Sequence, residues 1–215
     1  MRNQKSISGL SRAIQKSISS NQSESTVVSQ LKSKEVSIKI ANTLEERESA
    51  FRLGYQVYLE KGFINSNSNE WLIQKYDFEK DTVILIVQDQ QKNIAGSVTL
   101  VFEGISKLPG EKIYSEELKT LRESKYKMVE ISRLVISNDY QRSKEILILL
   151  INYLCIYIHH VKNYNCQIIE VNPRHKDFYK KTLSFDEIGC EKPCPQVQNA
   201  PAVLLYMPTS RYQSE

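Results

Sequence analysis

From Ile146 to Ile158 the chain is apolar except at Asn152. A bilayer-spanning helix needs about 20 such residues, so this run is too short to span and reads as a helix buried in a protein core. The composition agrees with a core of that size. The chain has 215 residues, 40% of them hydrophobic and 25% charged, which fits one globular domain plus a tail. A net charge of +4 is too weak to argue for nucleic acid and fits an acidic protein partner or an anionic donor.

The rest of the chain alternates strand-like and helix-like patterns around that run. Val36, Ile38 and Ile40 alternate with polar residues, marking a first strand. Thr43 followed by Glu46 forms a capping box for a helix carrying Phe51, Tyr55, Val57 and Tyr58 and ending near Gly62. Residues 82–88 and 94–102 read as a hairpin around the polar turn 89–93. A helix over 115–123 is expected to be capped by Ser115. A long strand over 127–137 leads into the apolar helix, 144–161. A strand at 167–171, a helix at 175–182 and strands at 185–191 and 202–207 complete the order β-α-β-β-α-β-α-β-α-β-β. That alternation predicts an α/β (α+β) fold with a mixed sheet flanked by helices. The domain is drawn at 35–215.

Residues 1–34 are rich in Ser, Gln, Asn and Lys and lack the apolar density to fold alone, so they read as a flexible tail. Within it Ile7, Leu10, Ile14 and Ile18 recur at helical spacing with Arg12 and Lys16 between them. Residues 7–18 therefore either form a basic amphipathic helix in peripheral contact with a membrane or a partner, or belong to a loose tail. No signal-type apolar region follows the early charges, which predicts a cytoplasmic protein with any membrane contact at the inner face. Cys155, Cys166, Cys190 and Cys194 show no zinc spacing. Free thiols are expected, and no metal.

The segment Glu170-Val-Asn172-Pro173-Arg174-His175, continuing into Phe178-Tyr179 and Leu183-Ser-Phe185, resembles the late motif of the Gcn5-related N-acetyltransferase superfamily. With Val129-Glu130-Ile-Ser-Arg133-Leu-Val and 199–205 (Asn-Ala-Pro-Ala-Val-Leu-Leu), it is similar to the long-chain N-acyl amino acid synthases of N-acyltyrosine type. The Glu-x-x-Arg element is shared with acyl-homoserine lactone synthases. The resemblance covers about residues 36–208. It implies a mostly antiparallel central sheet, an acyl carrier protein thioester as co-substrate with no separate cofactor, and an N-acyl amino acid as product, tyrosine being the first acceptor to consider. Two positions depart from the lactone synthases. Gly54 and Thr99 lie where those enzymes usually have arginine, which argues against a lactone product.

Superfamily members that use coenzyme A bind its pyrophosphate on a glycine-rich loop after the long strand. Here that loop reads Tyr140-Gln-Arg142-Ser-Lys144-Glu, and side chains at every position obstruct backbone approach to a phosphate. A carrier-protein donor is the better expectation. Arg142, Lys144, Arg174, Lys176, Lys180 and Lys181 would converge at one sheet edge, where an acidic carrier protein docks by charge unless they form only a solvated basic face.

Amide formation from a thioester needs a neutral amine, a polarised carbonyl and the two held together. Glu130 is a carboxylate on a mostly apolar strand, an unusual place for a charge, and is the candidate base. Its structural alternative is an ion pair with Arg133 or Arg122. Arg133 would hold the acceptor's carboxylate in bidentate fashion or pair with Glu130. Strand alternation puts Glu130 and Ser132 on one face and Ile131 and Arg133 on the other. Asn172 ends a strand where ligands often sit. Arg174 and His175 open a helix N-terminus that favours anions, and His175 is an alternative base. The resemblance puts Tyr179 where relatives carry a general acid for the leaving thiol, with Phe178 beside it, and puts Asp77 and Asp81 in the region that meets the acceptor amine. Two other readings stay open: a coenzyme A-dependent N-acetyltransferase of a small amine or protein, and a non-catalytic module of this fold that binds lipid or a partner.

Overall fold

The computed structural model describes residues 36–80, 82–104, 107–141 and 143–212. The strands are β1 (Val36–Ile40), β2 (Thr82–Asp89), β3 (Ile94–Phe102), β4 (Met128–Ile136), β5 (Cys166–Val171), β6 (Asp186–Cys194) and β7 (Ala200–Pro208). The helices are α1 (Leu44–Glu60), α2 (Ser115–Glu123), α3 (Lys144–Ile156) and α4 (Lys176–Leu183). The element order is the one expected from the sequence. The strands form one sheet in the order β1-β2-β3-β4-β5-β7-β6. Each neighbouring pair is antiparallel except β4 and β5, which are parallel. The proposed tail, including 7–18, lies outside the described residues, as do Asp81 and Arg142.

Local chemistry accounts for the helix ends. Thr43 Oγ1 accepts from the Glu46 N–H at 3.2 Å, and Glu46 Oε2 accepts from the Thr43 N–H at 3.2 Å, so the capping box that starts α1 is present as read. Ser115 does not cap α2. The cap position is Tyr114, without a side-chain cap bond, because its phenol points inward and donates to the Ala202 carbonyl at 2.6 Å. The apolar helix runs as α3 and then a π-type turn, Tyr157–Val161. By length and composition alone the stretch Lys144–Val161 is long and apolar enough to cross a membrane. It nevertheless serves as a core helix: Ile146, Leu150, Leu154 and Ile158 share one buried cluster with Leu85, Val87, Val98 and Leu100 of the sheet.

The sheet is covered on both faces. Phe51 and Ala50 of α1 pack with Ile84 and Ile86, and Leu118 and Leu121 of α2 with Val101, Met128 and Ile168. The opposite face carries α3, with Tyr179 and Leu183 of α4 alongside. This double cover explains why β2 and β3 read as apolar runs rather than alternating strands.

Two irregularities in β4 create the site. The first is a bulge: Ser97 pairs with Val135 and Thr99 with Ser132, so Arg133 and Leu134 oppose Val98 alone. Arg133 takes up the extra length with φ of 49°, a left-handed value costly for a residue with a side chain. The second is a splay. β4 and β5 pair only from Met128–Cys166 to Glu130–Ile168. Beyond Glu130 the two parallel strands part and leave a gap.

Candidate active site

A cavity of about 140 Å³ opens at this gap. Its walls include Glu130, Ser132 and Arg133 from β4, Glu170 from β5, Asn172 just beyond it, Tyr58 from α1, Tyr76, and Cys194 at the end of β6. Glu130 is 3% exposed. Its Oε2 accepts from the Gly110 N–H at 2.8 Å. Neither ion pair expected for it is formed. Arg122 instead binds Glu103 and Glu111, and Arg133 binds Asp77. Burial, and then the nearby Glu170 carboxylate, push the Glu130 carboxyl well above the usual carboxylate range. A carboxylate with no ion pair among the described residues, buried at the wall of this cavity with a raised proton affinity, is suited to accept a proton from an amine.

Arg133 sits on the Glu130 side of the sheet, not opposite it as strand alternation predicted. Its guanidinium lies 5.2 Å from the centre of the Tyr76 ring, and the neighbouring Ser132 Oγ is 3.1 Å from the Tyr76 hydroxyl. The bulge brings both consecutive side chains to one face. Asp77, 1% exposed, binds the guanidinium in bidentate fashion. Arg133 also donates to the Leu72 carbonyl at 2.9 Å and to Thr99 Oγ1 at 2.8 Å. Both terminal nitrogens of its fork are therefore engaged from within the protein, while Nε is buried without a hydrogen-bond partner. The carboxylate clip expected for the acceptor is occupied by Asp77, and Asp77 holds a guanidinium rather than facing an amine. The pair anchors the 3-10 turn Lys75–Phe78 against β4 and so sets the position of Tyr76 on the cavity wall.

The late motif divides between the cavity and its surroundings. Asn172 lines the cavity, and its Oδ1 accepts from the Arg174 N–H at 3.2 Å, which starts the turn Pro173–His175. Arg174 is exposed, with its guanidinium 5.8 Å from the centre of the Phe63 ring; Phe63 is itself a wall residue. His175 is exposed at the start of α4 and outside the lining. Burial, then Arg174 and Lys61, lower its pKa. Phe178 is 39% exposed and packs edge-on against Tyr179. Tyr179 faces the other side of the sheet, in an apolar recess with Ile131, Leu134, Leu154 and Phe185. Ile131 borders both this recess and the cavity, so the two meet across the splay. Burial pushes the Tyr179 phenol up to about 12, which keeps it protonated at neutral pH.

The parallel pairing of β4 and β5 sets the starts of α3 and α4 at the same sheet edge. Lys144 there is exposed. Lys176 and Lys180 share Glu187 at 3.1 and 3.5 Å, and Lys181 bonds Asp177 at 2.5 Å, which leaves that face less positive than the sequence suggests. In the loop before α3, the N–H groups of Tyr140, Gln141 and Ser143 donate to Ser137, Asn138 and Tyr140 carbonyls at 2.9, 3.3 and 2.8 Å.

Sequence reasoning assigned no role to Glu170, Gly110, Tyr76 or Cys194. A carboxylate beside Ile168, Ile169 and Val171 in the strand Cys166–Val171 is the same signal that singled out Glu130. The other three are brought in from distant segments by the fold.

The match to known proteins follows the site. The sequence profile of the N-acyl amino acid synthase FeeM family matches residues 49–208. Among solved structures, FeeM, an N-acyl amino acid synthase from uncultured soil microbes, superposes with a TM-score of 0.74 at 21% identity, covering 86% of this chain and 96% of its own. The acyl-homoserine lactone synthase LasI gives 0.59 at 15% identity over 82% and 91%. The spermidine N-acetyltransferase SpeG N152L mutant from Vibrio cholerae gives 0.54 at 16% identity over 83% and 96%. No curated protein matches by sequence. The fold is that of the N-acetyltransferase superfamily, and the chain belongs to the N-acyl amino acid synthase family, as an acyltransferase enzyme.

Proposed function

We propose that this enzyme transfers a long-chain fatty acyl group from an acyl carrier protein thioester to the amine of an amino acid, with tyrosine the first acceptor to test. The observation that carries the reading is Glu130, buried at the splay of β4 and β5 on the cavity wall and without an ion pair among the described residues. In this scheme Glu130 takes a proton from the acceptor's ammonium group, and the freed amine attacks the thioester carbonyl. The C–N bond forms, the C–S bond breaks, and the leaving thiolate takes the second amine proton. Ser132 and Asn172 offer hydrogen bonds along the gap, and Tyr58, Phe63 and Tyr76 give an aromatic acceptor apolar edges to rest against. Arg174, which makes no ion pair among the described residues, takes over from Arg133 as the cation for the acceptor's carboxylate. Tyr179, packed against Phe178, is the candidate to relay that second amine proton to the thiolate, and His175 the alternative base.

The donor assignment is supported by the loop before α3, which lacks glycine and whose N–H groups at 140, 141 and 143 are already used internally. In this reading Lys144, Lys176, Lys180 and Lys181 form the docking edge for the acidic carrier; Arg142, expected beside them, lies outside the described residues. Steady-state rates with a carrier-protein thioester and the matching acyl-coenzyme A test this. The carrier substrate should be turned over far faster, its use should weaken as salt rises, and Lys144→Glu should raise its apparent KM. Equal rates with both donors, with no salt effect, would remove the carrier from the account.

A further inference from the structure

The structure assigns a second carboxylate to the base. Glu170 lies on β5, across the splay from Glu130. The two meet at Gly110. A methyl group built there would lie 3.0 Å from Glu170 Oε1 and 3.3 Å from Glu130 Oε2, so the absent side chain of Gly110 is what lets both carboxyl groups close on the same small space. Glu130 Oε2 has the Gly110 N–H, whereas Glu170 Oε1 is buried with no hydrogen-bond partner. The other Glu170 oxygen is 3.6 Å from the Cys194 thiol. Both residues line the cavity.

A buried carboxylate and a partly buried one that flank the same glycine do not both ionise freely, because each raises the cost of charging the other. The surroundings do little to relieve that cost. Glu111, on the same turn as Gly110, is ion-paired to Arg122. The Tyr114 hydroxyl donates to backbone carbonyls. The Arg133 charge is held by Asp77. Lys112 is the cation that favours ionisation of both groups, acting at a distance.

We propose that Glu130 and Glu170 share one proton, and that this pair, rather than Glu130 alone, is the base that deprotonates the acceptor's ammonium group. The proposal rests on the acyltransferase reading of the cavity. Binding of the cationic acceptor favours the doubly ionised pair and expels the shared proton to solvent. The ammonium then passes a proton to the pair, which restores its resting state and frees the amine for attack. The second amine proton leaves on the thiol. One ammonium and one thioester thus become one amide, one thiol and one released proton. Glu170 acts on the amine through Glu130 and is a positioning residue.

The test reads the pair both with and without turnover. In substrate-free wild-type protein, the infrared carbonyl band of a protonated carboxyl should persist above the pH at which an ordinary carboxyl ionises. In Glu170→Gln it should titrate lower by roughly one unit or more, because a like charge has been removed. The acidic limb of kcat/KM should move down by a similar amount. Glu170→Met, neutral and unable to hydrogen-bond, should shift both readings in the same direction. A band and a limb that stay put in both folded variants would overturn the proposal. Wild-type protein that shows the shared proton but forms no acyl amide would overturn the acyltransferase reading instead, and with it the role given to the pair.

Discussion

At Arg133 and Asp77 the protein buries opposite charges, and removing one leaves the other stranded. The Arg133 side chain is only 8% exposed. Asp77→Asn leaves its guanidinium without an anion, and loss of one member of a buried pair costs about 3–5 kcal/mol. Denaturant unfolding should show that loss, whereas a change of a few tenths would mean that water neutralises the guanidinium. Glu130 and Glu170 have the opposite effect on stability. Their carboxyls are held above the usual range, chiefly by burial. The folded protein therefore keeps protons that the unfolded chain gives up at about pH 4.3, and the contribution of these two groups to stability is greatest below that pH and declines as pH rises through the folded values. Glu170→Gln removes part of this decline. Compared by urea unfolding, it should be more stable than the wild type at mildly alkaline pH, with the difference shrinking toward about pH 4. A variant less stable at every pH would contradict the assigned direction. Glu130 was legible in the sequence because a carboxylate is rare on an apolar strand. The partner of Arg133 was not, since Asp77 lies in another segment and reaches it only through the fold. Nor was the bulge, whose residues Ile131-Ser-Arg-Leu-Val135 read as a regular strand.

At the scale of elements, signals carried within a few residues were the readable ones. The Thr43–Glu46 box is a local device and formed where it was expected. Thr43→Ala should lower stability by about 1 kcal/mol, measured by thermal or urea unfolding, and an unchanged midpoint would show that tertiary packing alone holds the start of α1. Ser115 offered the same kind of signal and was overridden, because burial of Tyr114 with two carbonyl partners outweighs a surface cap. The splay of β4 and β5 falls between these cases. The sequence marks both strands as buried but carries no sign of where their pairing stops, and that point after Glu130 is what opens the cavity.

For the molecule as a whole, the strand and helix order was legible because both faces of the sheet are covered and each element carries its own apolar pattern. The charged edge near α3 and α4 was harder to read, because Glu187 and Asp177 are bound to the lysines there and sequence spacing does not reveal that neutralisation. The family match, the parted parallel strands and the buried Glu130 support the central proposal, that this enzyme N-acylates an amino acid with Glu130 as part of the base. Mass spectrometry of the products formed by purified protein from a long-chain acyl carrier protein thioester and a mixture of amino acids tests it most directly. The account predicts N-acyl amino acids with the wild type and a loss of roughly 10²-fold or more with folded Glu130→Gln. Amide formation by Glu130→Gln at the wild-type rate would contradict it.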